Sequence, residues 1–185
     1  MQLILASQSP RRKELLSYIT SNFDVCSADI DETCLANESA IDYVTRLAEE
    51  KAAVVKQHYP DSAVIGSDTA VVIEQNILGK PENLEDSLRI LRLLSGKVHQ
   101  VMTAFCVMTA TQKTTRLVVT DVKFKTLTDE EINDYWLTGE PQDKAGSYAI
   151  QGIGGKFVES INGSVSSVIG LPLVELEQTL KEVLT

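Results

Sequence analysis

The segment of residues 3–16 constrains the fold more than any other part of the sequence, because a short apolar run passes into helical spacing with almost no connecting chain. Ser9 is a favourable N-cap, since its hydroxyl can accept a hydrogen bond from a first-turn amide, and Pro10 suits the position that follows. The sequence therefore predicts a strand that runs directly into a helix beginning at Pro10.

The first turn of this helix carries Arg11 and Arg12, where the helix dipole normally disfavours cations. Their spacing places both side chains above the core-facing stripe of the helix. Together with Ser7, Ser9 and the free amides, two guanidinium groups make a site for a polyanion, and phosphate is the commonest such ligand at a helix N-terminus. The alternative, pairing of both arginines with surface carboxylates, stays open on these residues alone.

A second feature is the charged residue inside the most hydrophobic segment, Ala63–Ile73. Its β-branched residues predict a central strand, but Asp68 lies at its middle, where a carboxylate is costly unless it is paired, hydrogen-bonded or bound to a metal. Gly66 permits close approach of another backbone. A turn that joins two short strands at Asp68 is an equally acceptable interpretation.

The remaining elements follow from periodicity and caps. An acidic loop includes Asp31 and Glu32, and Ser39 begins a helix in which Lys51 lies beside the buried stripe. Further expected elements are a strand over residues 23–26, a helix capped by Asn83, strands over 98–108 and 117–126, a helix opened by Thr128 and Glu131, a hairpin pairing 156–161 with 164–169 through Asn162-Gly163, and a last helix with a leucine stripe.

The bulk properties narrow the class of protein. The chain has 185 residues, enough for one domain with a sizeable core, and its net charge of −9 argues against a nucleic-acid-coating surface. We find no membrane span or signal peptide and expect a cytoplasmic protein. The three cysteines lack metal or redox spacing and are expected to be reduced, and the two histidines form no cluster.

Taken together, the polar residues supply the components of triphosphate hydrolysis, which needs cations for the phosphates and carboxylates to place a divalent ion and a water. The candidate cations are Arg11, Arg12, Lys51, Lys80 and Lys144, and the candidate carboxylates are Glu32, Asp68 and Asp143.

The sequence also resembles a known family over nearly its whole length. The opening string Ser7-Gln8-Ser9-Pro10-Arg11-Arg12 is similar to the signature of the Maf family of nucleoside triphosphate pyrophosphatases, also named for septum inhibition. Further matching blocks are Asp31-Glu32, Gly66-Ser67-Asp68-Thr69, Gly79-Lys80-Pro81, Asp143-Lys144-Ala145-Gly146 and Ile150-Gln151-Gly152. The resemblance implies one domain over residues 1–185 with an α/β fold, in which a long bent mixed sheet is flanked by helices and two lobes enclose a central cleft, as in inosine triphosphate pyrophosphatases.

The resemblance also implies roles for individual residues in a metal-dependent cleavage of a nucleoside triphosphate to the monophosphate and pyrophosphate. Asp68 would be the proton acceptor, assisted by Lys51 and Lys80, and Glu32 and Asp68 would hold Mg²⁺ or Mn²⁺. Whether Asp68 acts as a base or mainly as a metal ligand is left open. Ser7, Arg12 and Lys144 would bind the substrate.

Specificity is implied at three positions, Arg11, Thr69 and Gln151, which match family members that act on dTTP and UTP. A Gln amide offers both a donor and an acceptor to a uracil or thymine edge, which suits that assignment. Ser67, where many such members have Ala, is a small departure. The expected partner is the nucleotide substrate, with no nucleic acid or membrane, and a homodimer is compatible with the sequence. The competing hypothesis is a nucleotide-binding regulator of cell division with little hydrolysis.

Overall fold

The structure is a computed structural model that describes residues 1–184 of the chain. It is a mixed α/β protein, as the family resemblance implies. The strands are β1 Leu3–Leu5, β2 Asp24–Val25, β3 Ala63–Ile73, β4 Asn76–Leu78, β5 Val98–Met108, β6 Lys113–Phe124 and β7 Val158–Asn162. The helices are α1 Pro10–Ser17, α2 Ala40–His58, α3 Leu84–Leu94, α4 Asp129–Leu137, α5 Val165–Ile169 and α6 Leu173–Val183, with short 3₁₀ turns at Glu140–Asp143, Ala145–Ser147 and Ile153–Phe157.

The strands form one seven-stranded sheet in the order β2-β1-β3-β5-β6-β7, with β4 also paired to β3. β1 runs parallel to β2 and β3, while the remaining pairs are antiparallel. One face of the central strands packs against α2, through a cluster that includes Val44, Ala48 and Ala104. The other face is covered by α1 and α6 at one end and by α3 and α4 at the other. The sheet is therefore sandwiched between helices.

The predicted helix starts agree with the structure because local capping decides them, whereas the strand predicted over 117–126 spans Lys113–Phe124. Ser9, Ser39 and Asn83 each accept a hydrogen bond from an amide of the helix they begin, and Thr128 and Glu131 form a reciprocal capping box. The long strand β3 is continuous through Asp68, with registered partners on β5 from Val64 to Val72. The interpretation of Asp68 as a turn between two strands is therefore wrong.

The predicted hairpin around Asn162-Gly163 is also wrong in its second half. Only Val158–Asn162 is a strand, and the residues after Gly163 form the short helix α5. The reason lies at Ser164: its hydroxyl accepts a hydrogen bond from the amide of Ser167 at 3.2 Å, which caps a helix, while its amide donates to Thr120 on the distant strand β6 at 3.0 Å. The polar cap outweighs the strand preference of the β-branched residues.

Candidate active site

A gap in the sheet opens a cavity beside the middle of β3. On one edge of β3, β1 pairs only with residues 63–65 and β4 only with residues 71–73, while β5 covers the other edge. The middle of β3, around Asp68, therefore lacks a strand partner on that edge. A cavity of about 850 Å³ opens at this point and separates the part of the molecule around β1 from the part around β4.

Every residue that the sequence placed in the candidate site lines this cavity. The lining includes Ser7, Arg11, Arg12, Glu32, Lys51, Asp68, Thr69, Lys80, Lys144 and Gln151, and Asp143 as well. These residues come from positions far apart in the chain, so their convergence is a property of the fold. The cavity thus joins the cationic start of α1 to the carboxylate at the middle of β3.

The buried carboxylate of Asp68 is paired with a lysine from α2. Lys51 Nζ lies 2.8 Å from Asp68 Oδ1 and 2.7 Å from Glu32 Oε1, so one ammonium group bridges both carboxylates. Gly66 makes this approach possible, because a Cβ there would collide with the carbonyl of Ala48 on α2. Burial raises the pKa of Asp68, although the positive charges of Lys51 and Arg12 oppose that shift.

The other cationic group, Arg12, is fixed by neutral partners. Its Nε donates to the carbonyl of Gly170 at 2.8 Å and its Nη2 donates to Thr69 Oγ1 at 3.1 Å. Burial lowers the pKa of Arg12, and the charge of Asp68 partly offsets this effect. The surface-pairing alternative therefore does not describe Arg12. It fits Arg11 only loosely, since its closest carboxylate atom, Asp143 Oδ2, is 4.0 Å away.

Thr69 belongs to a hydroxyl network that the sequence did not reveal. Its Oγ1 also lies 2.9 Å from Thr103 Oγ1, and Thr103 donates to the carbonyl of Ser167 at 2.8 Å. The C-terminal end of α5 is thus tied to β3, β5 and Arg12 by polar contacts. A helix at this position, rather than a strand, is what turns the carbonyls of Ser167 and Gly170 toward these donors.

The opposite side of the cavity is made of loops. The amide of Gly146 donates to the carbonyl of Gly79 at 3.0 Å, which joins the segment bearing Lys144 to the segment bearing Lys80. Lys144 forms an ion pair with Asp143. Gln151 is exposed, and within residues 1–184 its side-chain amide makes no hydrogen bond to the protein. Its donor and acceptor are therefore free for a ligand.

The sequence did not reveal the residues that hold the acidic loop of Glu32 in place. Arg46 donates to both oxygens of Glu38, at 2.6 and 2.8 Å, and to the carbonyl of Thr33 at 3.1 Å. Tyr43 donates to the carbonyl of Glu32 at 3.0 Å. These bonds tie the acidic loop to α2 and so place Glu32 beside Lys51. The sequence does not single out Arg46, because its i,i+4 pair with Glu50 on α2 is common on exposed helices and its other partners lie on a loop.

Tyr148 is a further lining residue without a clear sequence signal. Its hydroxyl lies 2.8 Å from His99 Nε2, and both side chains pack edge to face against Phe124. Burial lowers the pKa of His99 to about 4, so the imidazole is neutral at pH 7. His99 therefore contributes a buried hydrogen bond beneath the cavity wall and does not contribute a charge.

Glu32 and Asp68 are the carboxylates of the cavity wall that could hold a divalent metal ion. Residues 1–184 hold no group of three or more His, Cys, Asp or Glu side chains arranged for an ion. Glu32 and Asp68 nevertheless each use one carboxylate oxygen to pair with Lys51. The second oxygen of each carboxylate accepts no hydrogen bond from the described residues. Mg²⁺ is commonly held by one or two carboxylates together with substrate phosphates and water. The residues present fit such an ion when a phosphate substrate completes the ligand set.

Fold and cavity together define a mixed α/β protein with a cleft lined by arginine and lysine side chains, and comparison with known proteins identifies the family. The model of the Maf family, described as Maf-like protein, matches residues 2–183. The chain belongs to this family. A relative from Vibrio parahaemolyticus is 54% identical over 100% of this chain and 98% of its own length, and one from Pseudoalteromonas atlantica is 56% identical over 96% and 95%. Both carry the name dTTP/UTP pyrophosphatase.

A solved structure supports the fold independently. A HAM1 protein from Coxiella burnetii superposes with a TM-score of 0.53 and 15% identity, covering 99% of this chain and 100% of the other. At this identity the likeness concerns the fold alone.

The three cysteines are free thiols, as expected. None of the helices between residues 1 and 184 is both long and apolar enough to cross a membrane.

Proposed function

We propose that this protein is a nucleoside triphosphate pyrophosphatase that hydrolyses dTTP and UTP to the monophosphate and pyrophosphate. The observation that carries the proposal is the convergence of Arg12, Lys51 and Asp68 on one cavity, together with Lys80 and Lys144 on its opposite side. The names of relatives at 54–56% identity over nearly the full chain agree with it. Those names designate an enzyme, so the regulator without hydrolysis is not favoured.

Each side chain has a task that follows from its charge and position. Arg12, Lys51, Lys80 and Lys144 bind the phosphate oxygens, and Ser7 adds a hydroxyl at the helix start. Asp68 accepts a proton from the water that attacks the α-phosphorus, and pyrophosphate leaves with the electron pair of the broken P–O bond. Glu32 and Asp68 would hold Mg²⁺ or Mn²⁺, which would neutralise part of the phosphate charge when bound.

The nucleobase is selected on the loop side. Gln151 presents a free amide to the edge of uracil or thymine, which carries a donor and acceptors in the matching arrangement. Arg11 and Thr69 complete the set of residues expected to determine specificity. Thr69 acts at least partly through Arg12, because its hydroxyl already contacts that guanidinium group.

The test is a panel of nucleoside triphosphates with Mg²⁺, with the monophosphate and pyrophosphate both quantified. We expect UTP and dTTP to be the best substrates and a chelator to abolish turnover. In ¹⁸O-labelled water the label should enter UMP, because attack occurs at the α-phosphorus. Label in pyrophosphate would contradict the proposed site of attack, and binding of UTP without any pyrophosphate release would favour the regulator instead.

A further inference from the structure

The loop that carries Gln151 is held from beneath by two side chains outside the cavity. Tyr135 lies on α4 and is completely buried, and Glu140 begins the 3₁₀ turn that follows. The Tyr135 hydroxyl donates to Glu140 Oε1 at 2.6 Å. Neither residue lines the cavity. We call this pair the loop clamp.

The loop clamp contacts both ends of the segment formed by residues 149–154. At the first end, the amide of Ala149 donates to the Tyr135 hydroxyl at 3.1 Å. At the second end, the amides of Ile153 and Gly154 donate to the two oxygens of Glu140, each at 2.9 Å. Gln151 lies between the anchored ends.

The glycines of this segment are explained by the same contacts. A Cβ at position 152 would collide with the carboxylate of Glu140, and a Cβ at position 154 would collide with the Tyr135 hydroxyl. A side chain at either position would therefore displace a member of the loop clamp, so the glycines allow its close approach to the loop. The ring of Tyr135 is itself held edge to face against Phe157, with centroids 5.0 Å apart.

The position of Gln151 depends on this support, because its amide makes no bond of its own to the described protein. We propose that Tyr135 and Glu140 are positioning residues that fix the backbone around Gln151 and thereby determine nucleobase selectivity. This inference rests on the proposed function, since it assigns selectivity to the same cavity. It concerns residues that touch neither phosphate nor base.

The test compares discrimination, defined as kcat/KM for UTP divided by kcat/KM for GTP. This ratio is independent of the folded fraction of a preparation. Glu140→Gln and Tyr135→Phe should each lower the ratio about tenfold, because each leaves a loop amide without its acceptor, a loss of the size expected for one unpaired group. A double variant with Gln151→Ala should discriminate no worse than Gln151→Ala alone.

The matched control is Glu131→Gln. Glu131 lies on α4, as Tyr135 does, but it accepts a hydrogen bond from the amide of Thr128 at 3.0 Å and does not contact the loop. This variant should lower Tm and leave discrimination unchanged. Amide hydrogen exchange gives a readout without activity, in which Ala149 and Gly154 should exchange at least tenfold faster in the clamp variants.

Discrimination within twofold of wild type in both clamp variants, or unchanged exchange at Ala149 and Gly154, would overturn the inference. So would unchanged discrimination in Gln151→Ala, because the clamp would then have no selective group to position. A wild-type protein that hydrolyses no nucleotide would instead reject the proposed function, and the exchange data would still decide whether the clamp holds the loop.

Discussion

The two sides of the cavity are built on different principles. On the side formed by β1, α1, α2 and β3, two cationic groups are fixed by bonds of their own side chains: Lys51 pairs with Asp68 and Glu32, and Arg12 donates to Thr69 and to the Gly170 carbonyl. On the loop side, Gln151 has no such partner, and its backbone is held by contacts beneath it. Regular elements thus fix Arg12, Lys51 and Asp68 through their own side-chain contacts, whereas Gln151 is placed by a loop that is held through its backbone.

The largest effect is expected from Asp68→Asn, on the regular side. Removing the proton acceptor should lower kcat for UTP about 10³-fold with Mg²⁺ present, within the range for a general base. Pyrophosphate release measures the effect, and circular dichroism confirms folding. Asp143→Asn is the control from the loop side and should cost less than about tenfold. Near-wild-type turnover of Asp68→Asn would remove Asp68 from the mechanism.

The next largest effect is the pH dependence of the free energy of unfolding, which we expect to come from His99 beneath the loop side. His99 has a folded-state pKa of about 4 against an ordinary value of 6.5, so it stabilises the fold above pH 6.5 and loses this contribution as the pH falls toward 4. The full loss corresponds to roughly 3 kcal/mol in the free energy of unfolding. The group that faces His99 is the Tyr148 hydroxyl, which is buried with it.

Urea titrations between pH 7 and 4 measure this dependence. The variant His99→Gln should lose less stability than wild type over that window, and the exposed residue His58 provides the control His58→Gln, whose pH dependence should match wild type. Parallel curves for wild type and His99→Gln would show that His99 is not responsible.

A smaller effect distinguishes the two arginines at the start of α1. Arg12→Lys cannot keep both the bond to the Gly170 carbonyl and the bond to Thr69, so we expect kcat/KM to fall about 30-fold. Arg11→Lys changes a group with only one contact at 4.0 Å and should cost less than about fivefold. Equal losses of kcat/KM in both variants would mean that the bonds of Arg12 to Gly170 and Thr69 do not contribute to activity.

The smallest effect is expected from Gln151→Glu. The substitution replaces an amide donor by a carboxylate oxygen, so kcat/KM for dTTP and UTP should fall about tenfold, a value typical of one mispaired hydrogen bond. Tm should stay within about 2 °C, because the side chain is exposed. Pyrimidine preference that persists unchanged in this variant would show that the loop side does not select the base through Gln151.

The fold was predictable wherever local chemistry decides it. The caps at Ser9, Ser39, Asn83 and Thr128 fixed helix starts correctly, and the strand Val98–Met108 has the expected bounds. The sequence failed at α5, where a serine cap competes with β-branched residues over only five positions. Short segments are weakly determined by propensity, and at α5 the Ser164 cap together with the bond to Thr120 on β6 decides the conformation.

The candidate site was predictable in its residues but not in their contacts. The charges at Arg12, Lys51 and Asp68 were identified because each contradicts its local apolar or dipolar environment. Their supports, Arg46, Glu140 and His99, were not identified, because a charged or polar residue on an ordinary helix, turn or strand gives no local contradiction. Such residues gain their partners only when distant segments meet.

The sequence by itself determined that a cationic helix start follows a strand and that a carboxylate lies inside an apolar one, since both depend on neighbours within a few positions. Only the tertiary structure decided that β1 and β4 pair with opposite ends of β3, which leaves an open edge at Asp68. The physical reason is that strand pairing is made between segments far apart in the chain, and the gap it leaves belongs to no single segment.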